Sequence, residues 1–138
     1  MTDRRTMWPI ARSPALVVAL CLGAALARAA AGDASPCAAA DGEQVFGKCT
    51  LCHSLRAGEH LTGPSLAGLS GRRAGTITGF TFSNALRESN IVWNSMTLDA
   101  FLTDPQALVP GTAMPFGGIR NSPQRLALVC YLLGGRLQ

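Results

Sequence analysis

Charge is scarce in this chain. Only 14% of its 138 residues are charged, lysine occurs once, at Lys48, and no long charged tract is present. Without such a tract there is no basic stripe of the kind that binds nucleic acid. Nothing alternates with strand period, which removes the β classes. No internal repeat is present, which removes solenoids. No apolar run reaches the roughly 20 residues that a bilayer-spanning helix needs. What remains is a small helical domain of unexceptional size.

The formal net charge of +4 is unevenly placed. Arg4, Arg5, Arg12 and Arg28 face only Asp3, whereas from Ala30 onward Lys48 and seven arginines face seven acids. Residues 1–31 read as a secretory signal. The three leading arginines form its positive region, Ala15 to Ala27 is its short apolar stretch, and small residues offer cleavage near 29–31. This reading predicts export to the periplasm, an Ala-rich lead-in over 32–40, one domain over 41–138, and no membrane insertion once the signal is removed.

Helical signals cluster in that domain. Asp41-Gly-Glu-Gln44 resembles a capping box, and Val45, Phe46, Cys49 and Cys52 follow with helical spacing. Thr97 is expected to cap a helix whose Leu98, Phe101 and Leu102 share a face, ended by Pro105 because the residue before a proline leaves helical geometry. Ser122-Pro123 starts another, carrying Leu126 to Leu133 and stopped by Gly134-Gly135. A weaker helix is expected over Ser83 to Glu88. Gly-rich loops fill 58–79 and 109–118. The expected class is all-α, with helices and long loops wrapped around something that fills the middle.

Cys49-Thr-Leu-Cys52-His53 says what that is. Cysteines three apart on a helix face one way, so both sulfurs reach one flat edge, and the adjacent imidazole turns toward its centre. C-x-x-C-H is the attachment signal of c-type haem. A redox-active dithiol would want a preceding strand and a βαβ setting, and neither is present. A zinc site would need more ligands than His60, Cys37 and Cys130 supply as a second tight pair. Outside the leader, Met96 and Met114 are the candidates for the other axial position. Met96 sits beside an apolar stripe and reads as packing. Met114 lies in a loop stiffened by Pro110 and Pro115, which suits a fixed thioether. His60 reads as an exposed surface histidine.

With those residues in place, the chain resembles the class I c-type cytochromes, close to the mitochondrial and purple-bacterial type, from about Asp41 to Leu133. The attachment motif is joined by Gly63-Pro64-Ser-Leu66, Gly71-Arg72, Gly79-Phe80-Thr-Phe82, Trp93, Pro110-Gly111-Thr112-Ala-Met114 and Tyr131, in order. The resemblance implies the small class I cytochrome c fold and one haem c, covalently attached through Cys49 and Cys52, with His53 and Met114 as iron ligands. It implies that the Pro64 carbonyl orients His53, that Arg72 and Trp93 contact a propionate, and that Gly42 and Phe46 cross the last helix near Leu128 and Tyr131. It further implies a monomeric, soluble electron carrier rather than an enzyme, cycling between Fe(III) and Fe(II). Such a carrier passes single electrons between respiratory or photosynthetic partners that dock at an exposed haem edge.

The chain departs from that pattern in several places. Phe82 and Phe101 stand where tyrosines are usual, and Leu86 where a polar residue is common. The network around the haem is therefore expected to be more apolar and its potential retuned. Lysines that ring the haem edge elsewhere are missing, and Ala113 replaces one of them. Cys37 and Cys130 would both fall where the first and last helices meet, as a disulfide or as two unpaired small apolar residues. A dedicated subunit of a periplasmic dehydrogenase or reductase is an alternative role, as is a five-coordinate haem sensor or enzyme.

Overall fold

In a computed structural model, the described residues are Cys37 and 39–135. The signal expected over 1–31 and most of the 32–40 lead-in lie outside them. Among the described residues five helices follow in order: α1 Ala39–Phe46, α2 Asn84–Glu88, α3 Ser95–Thr103, α4 Pro105–Leu108 and α5 Ser122–Leu132. Among the described residues there is no strand, only two isolated bridges, His53 with His60 and Arg73 with Val92. No helix there is long and apolar enough to cross a membrane.

The two terminal helices close the fold. Gly42 of α1 lies against α5 so tightly that a Cβ would sit 2.5 Å from the Ala127 carbonyl oxygen and from the Tyr131 Cβ. Absence of a side chain there is what lets the helix backbones approach. One turn on, the Phe46 and Tyr131 rings meet at 5.7 Å. Beneath them Leu128 and Val129 are fully buried. A disulfide joins Cys37, just before α1, to buried Cys130 of α5, with Cα atoms 5.1 Å apart. Of the two readings the sequence left open, the bonded one holds. A bond that spans 93 residues restricts the unfolded chain far more than a short one would.

Several helix boundaries differ from expectation. Asp41 lies in the first turn of α1 rather than at its cap. The helix stops at Phe46, so the cysteines sit on the turns that follow it and not on the helix itself. Gly47 disfavours continued helix, and shorter bonds take over, Lys48 N–H to Val45 O at 3.2 Å and Cys49 N–H to Phe46 O at 2.7 Å. The cap of α3 is Asn94, with Thr97 at the third position returning the reciprocal bond of a capping box. Asn121 rather than Ser122 caps α5. In both helices an Asn carbonyl one to three residues upstream outcompetes the hydroxyl. The four-residue α4 was not foreseen: Asp104 is extended and ends α3, and its carboxylate then accepts from Ala107 N–H at 3.0 Å, so Pro105 opens a new turn. The stop at Gly134-Gly135 is as expected, both at positive φ, with Gly135 N–H bonded to Cys130 O at 2.7 Å.

Candidate metal centre

Between the turn after α1, α3, α5 and the loops lies an apolar cavity of about 510 Å³. Its lining includes every sequence-derived site residue: Cys49, Cys52, His53, Pro64, Arg72, Trp93 and Met114.

The attachment turn is fixed by backbone bonds. His53 N–H donates to Cys49 O at 2.9 Å, Gly63 N–H to Cys52 O at 2.7 Å, and Leu66 N–H to Ser54 O at 2.8 Å. This lacing brings the Pro64 carbonyl 2.8 Å from His53 Nδ1. A carbonyl only accepts, so Nδ1 carries the proton and Nε2 keeps its lone pair for a metal. Gly63 is required here, because a Cβ would lie 2.8 Å from Nδ1 and overlap Cε1.

Both cysteines are half-buried, and neither is in a disulfide. Burial pushes the Cys49 thiol above its ordinary range, and the neighbouring Cys52 pushes it the same way, against a smaller pull from Lys48. A catalytic dithiol needs the opposite shift, toward thiolate at neutral pH. Nor do three or more His, Cys, Asp or Glu side chains gather as a metal cluster among the described residues, as a zinc site would require.

Arg72 and Trp93 reach the cavity together because their backbones pair, Trp93 N–H to Arg72 O at 2.9 Å and Gly71 N–H to Trp93 O at 2.8 Å. The Arg72 guanidinium donates to the carbonyls of Ala67, at 2.7 Å, and Ser65, at 3.1 Å. Among the described residues no carboxylate pairs with it, and burial draws its pKa downward. An anionic group would relieve that desolvated charge. Trp93 is 6% exposed and packs edge-on against Phe101 at 5.2 Å. Phe82, Leu86 and Phe101 all line the cavity, so the more apolar surrounding expected from them is present.

Met114 is half-buried, and its carbonyl accepts from Phe116 N–H at 2.9 Å across Pro115. Met96 differs from expectation. It is 78% exposed, because α3 turns Leu98, Phe101 and Leu102 inward from the opposite face. His60 also differs, being a half-buried structural residue. Its Nδ1 accepts from Ser65 N–H at 3.0 Å, its Nε2 donates to Thr78 O at 2.9 Å, and its ring meets Phe80 at 5.8 Å. Both nitrogens are occupied, which removes it as a ligand. Its partners lie five and eighteen residues away, and no local pattern announces them.

Two thiols on one turn, an imidazole with a free Nε2, a thioether and an uncompensated guanidinium around an apolar cavity suit one covalently attached haem. The protein is thus defined as a small all-α haem domain. The cytochrome c family model matches residues 39–135, and the chain belongs to that family. It is 44% identical over 93 residues to cytochrome c2 iso-2 of Magnetospirillum fulvum, covering 67% of this chain and 97% of that one. To cytochrome c2 of Blastochloris viridis it is 42% identical over 112 residues, covering 80% and 84%. Among solved structures it resembles cytochrome cH from Methylobacterium extorquens, with a TM-score of 0.65 and 38% identity over 68% of this chain and 95% of that one. Proteins of this family carry electrons rather than convert substrates, and their cofactor is one covalently bound haem c.

Proposed function

We propose that this chain is an exported periplasmic carrier in which Cys49 and Cys52 hold the haem by thioethers, and His53 and Met114 are its two axial ligands. The observation that carries this reading is the His53 Nδ1–H bond to Pro64 at 2.8 Å, which leaves Nε2 as the metal-binding atom. When bound, the haem supplies a one-electron Fe(III)/Fe(II) couple. The chain's own residues do the rest. Pro64 orients and enriches the imidazole. Arg72 and Trp93 would hold a haem propionate at the wall where their backbones pair. The apolar lining excludes water, and the thioether favours the reduced state.

The exposed part of the lining, Lys48, Leu51, Thr62, Thr81, Ala113 and Pro115, supports docking of a redox partner on this face. Only Lys48 among them is charged, so association proceeds with little electrostatic steering and depends weakly on salt. The disulfide supports delivery to an oxidising compartment.

An optical and redox titration of the purified holoprotein tests the reading. The expected result is a covalently bound low-spin haem whose ferric form shows a methionine-to-iron charge-transfer band. Replacing Met114 with Ala should abolish the band. Rapid carbon monoxide binding to the reduced wild type at neutral pH would show an open iron and overturn the two-ligand assignment.

A further inference from the structure

The loop that carries Met114 is held from outside by one side chain. Gln106, in the middle of α4, donates through Nε2 to the Thr112 carbonyl at 2.8 Å and accepts through Oε1 from Gly111 N–H at 3.3 Å. A single amide therefore spans both sides of the peptide sequence two and three residues before the methionine. The anchor is firm at its base. Asp104 caps α4, Val109 N–H returns to Pro105 O at 2.9 Å, and Pro105 is buried. The loop's inner side is fixed by Thr112, which is 6% exposed, lines the cavity, and donates its N–H to Val109 O at 3.0 Å. Pro110 and Pro115 limit the backbone freedom of the segment between them. Gly111 adopts a φ of +89°, which glycine reaches without strain, so the turn presents its N–H to the Gln106 side chain.

We infer that Gln106 is a positioning residue that keeps the Met114 loop closed over the cavity and so governs access to that side of the site. This rests on Met114 being the second axial ligand. The two bonds exist only while the loop is in the described conformation. Their loss raises the fraction of molecules in which the loop is open, and any outside ligand that needs the open form then binds more tightly by the same factor.

Imidazole is a suitable probe, since it competes for a ferric site that the thioether vacates. Ferric holoprotein is titrated with imidazole for the wild type, Gln106→Leu and Gln106→Glu. Glu has the shape of Gln and keeps an acceptor for Gly111 but cannot donate to Thr112 while ionised. Gln106→Glu should bind imidazole about fivefold more tightly than the wild type, the factor corresponding to one lost hydrogen bond, and Gln106→Leu, which loses both bonds, should bind it more tightly still. Their charge-transfer bands should persist without imidazole, because the loop remains mostly closed. Gln124→Leu, on exposed α5 surface, serves as control and should match the wild type. If the wild type shows the band while Leu and Glu variants bind imidazole within about 1.5-fold of it, the clamp is overturned. If the wild type lacks the band, the ligand assignment fails, and the clamp with it.

Discussion

Gly63 and His53 approach so closely that no side chain fits between them. A Cβ on Gly63 would lie 2.8 Å from the His53 Nδ1 and overlap Cε1, while the next residue, Pro64, receives the imidazole proton. The ligand's orientation thus depends on a residue that contributes nothing but the absence of an atom. Gly63→Ala should displace the ring and weaken its bond to Pro64. We expect a loss of about 1–3 kcal/mol in stability and a shifted reduction potential, read by denaturant titration and redox titration of the same sample. An unchanged potential would mean that the ring moves without consequence for the iron.

Gly42 has the same logic at the helix crossing. Gly42→Val should force α1 away from Ala127 and Tyr131, lowering stability by about 3 kcal/mol or more. Thermal unfolding should report it as a drop of roughly 4–8 °C per kcal/mol for a domain of this size. Gly58, at positive φ with open space around it, is a useful contrast, since substitution there meets backbone strain alone.

The disulfide predicts a dissociation of stability from chemistry. Cys37→Ala removes a cross-link spanning 93 residues and should cost about 4–5 kcal/mol on the chain-entropy estimate. The visible spectrum should not change, because neither cysteine lines the cavity. Alkylation of denatured holoprotein without reductant should label no described cysteine, since Cys37 and Cys130 are bonded to each other and the proposed thioethers occupy Cys49 and Cys52. Labelling at Cys37 and Cys130 would contradict the bond.

Asp99 on α3 and Arg125 on α5 form an ion pair at 2.7 Å, and Arg125 also donates to the Ile119 carbonyl at 2.8 Å. The Arg125 side chain is only 11% exposed, so water replaces its partner poorly. Asp99→Asn should therefore destabilise by about 1–2 kcal/mol, more than a surface pair would. Denaturant midpoints compared in low and high salt would test it. A loss that vanishes completely in salt would mark the pair as superficial.

The parts of this fold that could be read along the chain are those governed by near neighbours. Pro105, by forcing Asp104 out of helical geometry, and the pair Gly134-Gly135, by their positive φ, end helices through local backbone limits, and both stops were legible. Caps were less so, since Asn94 and Thr97 are equally plausible partners until the chain's entry angle is known. Met96 and Met114 also differ only by surroundings. One lies on the outer face of α3, the other in a loop folded onto a cavity. His60 looked like a surface residue because its partners, Ser65 and Thr78, are joined to it only by the folding of the loops.

By itself the sequence made the attachment motif legible: two thiols and an imidazole within five residues need no distant partner to be recognised, although the turn that carries them, rather than the helix their spacing suggested, sets how they face. The tertiary structure decided everything that requires two remote segments to meet. It turned the Pro64 carbonyl onto His53, paired Arg72 with Trp93 at one wall, bonded Cys37 to Cys130, and laid Gln106 across the methionine loop. Those contacts depend on loop paths and helix crossings. Such paths are set by the close approach at Gly42 and Gly63 and by burial of the whole core, rather than by any local pattern of residues.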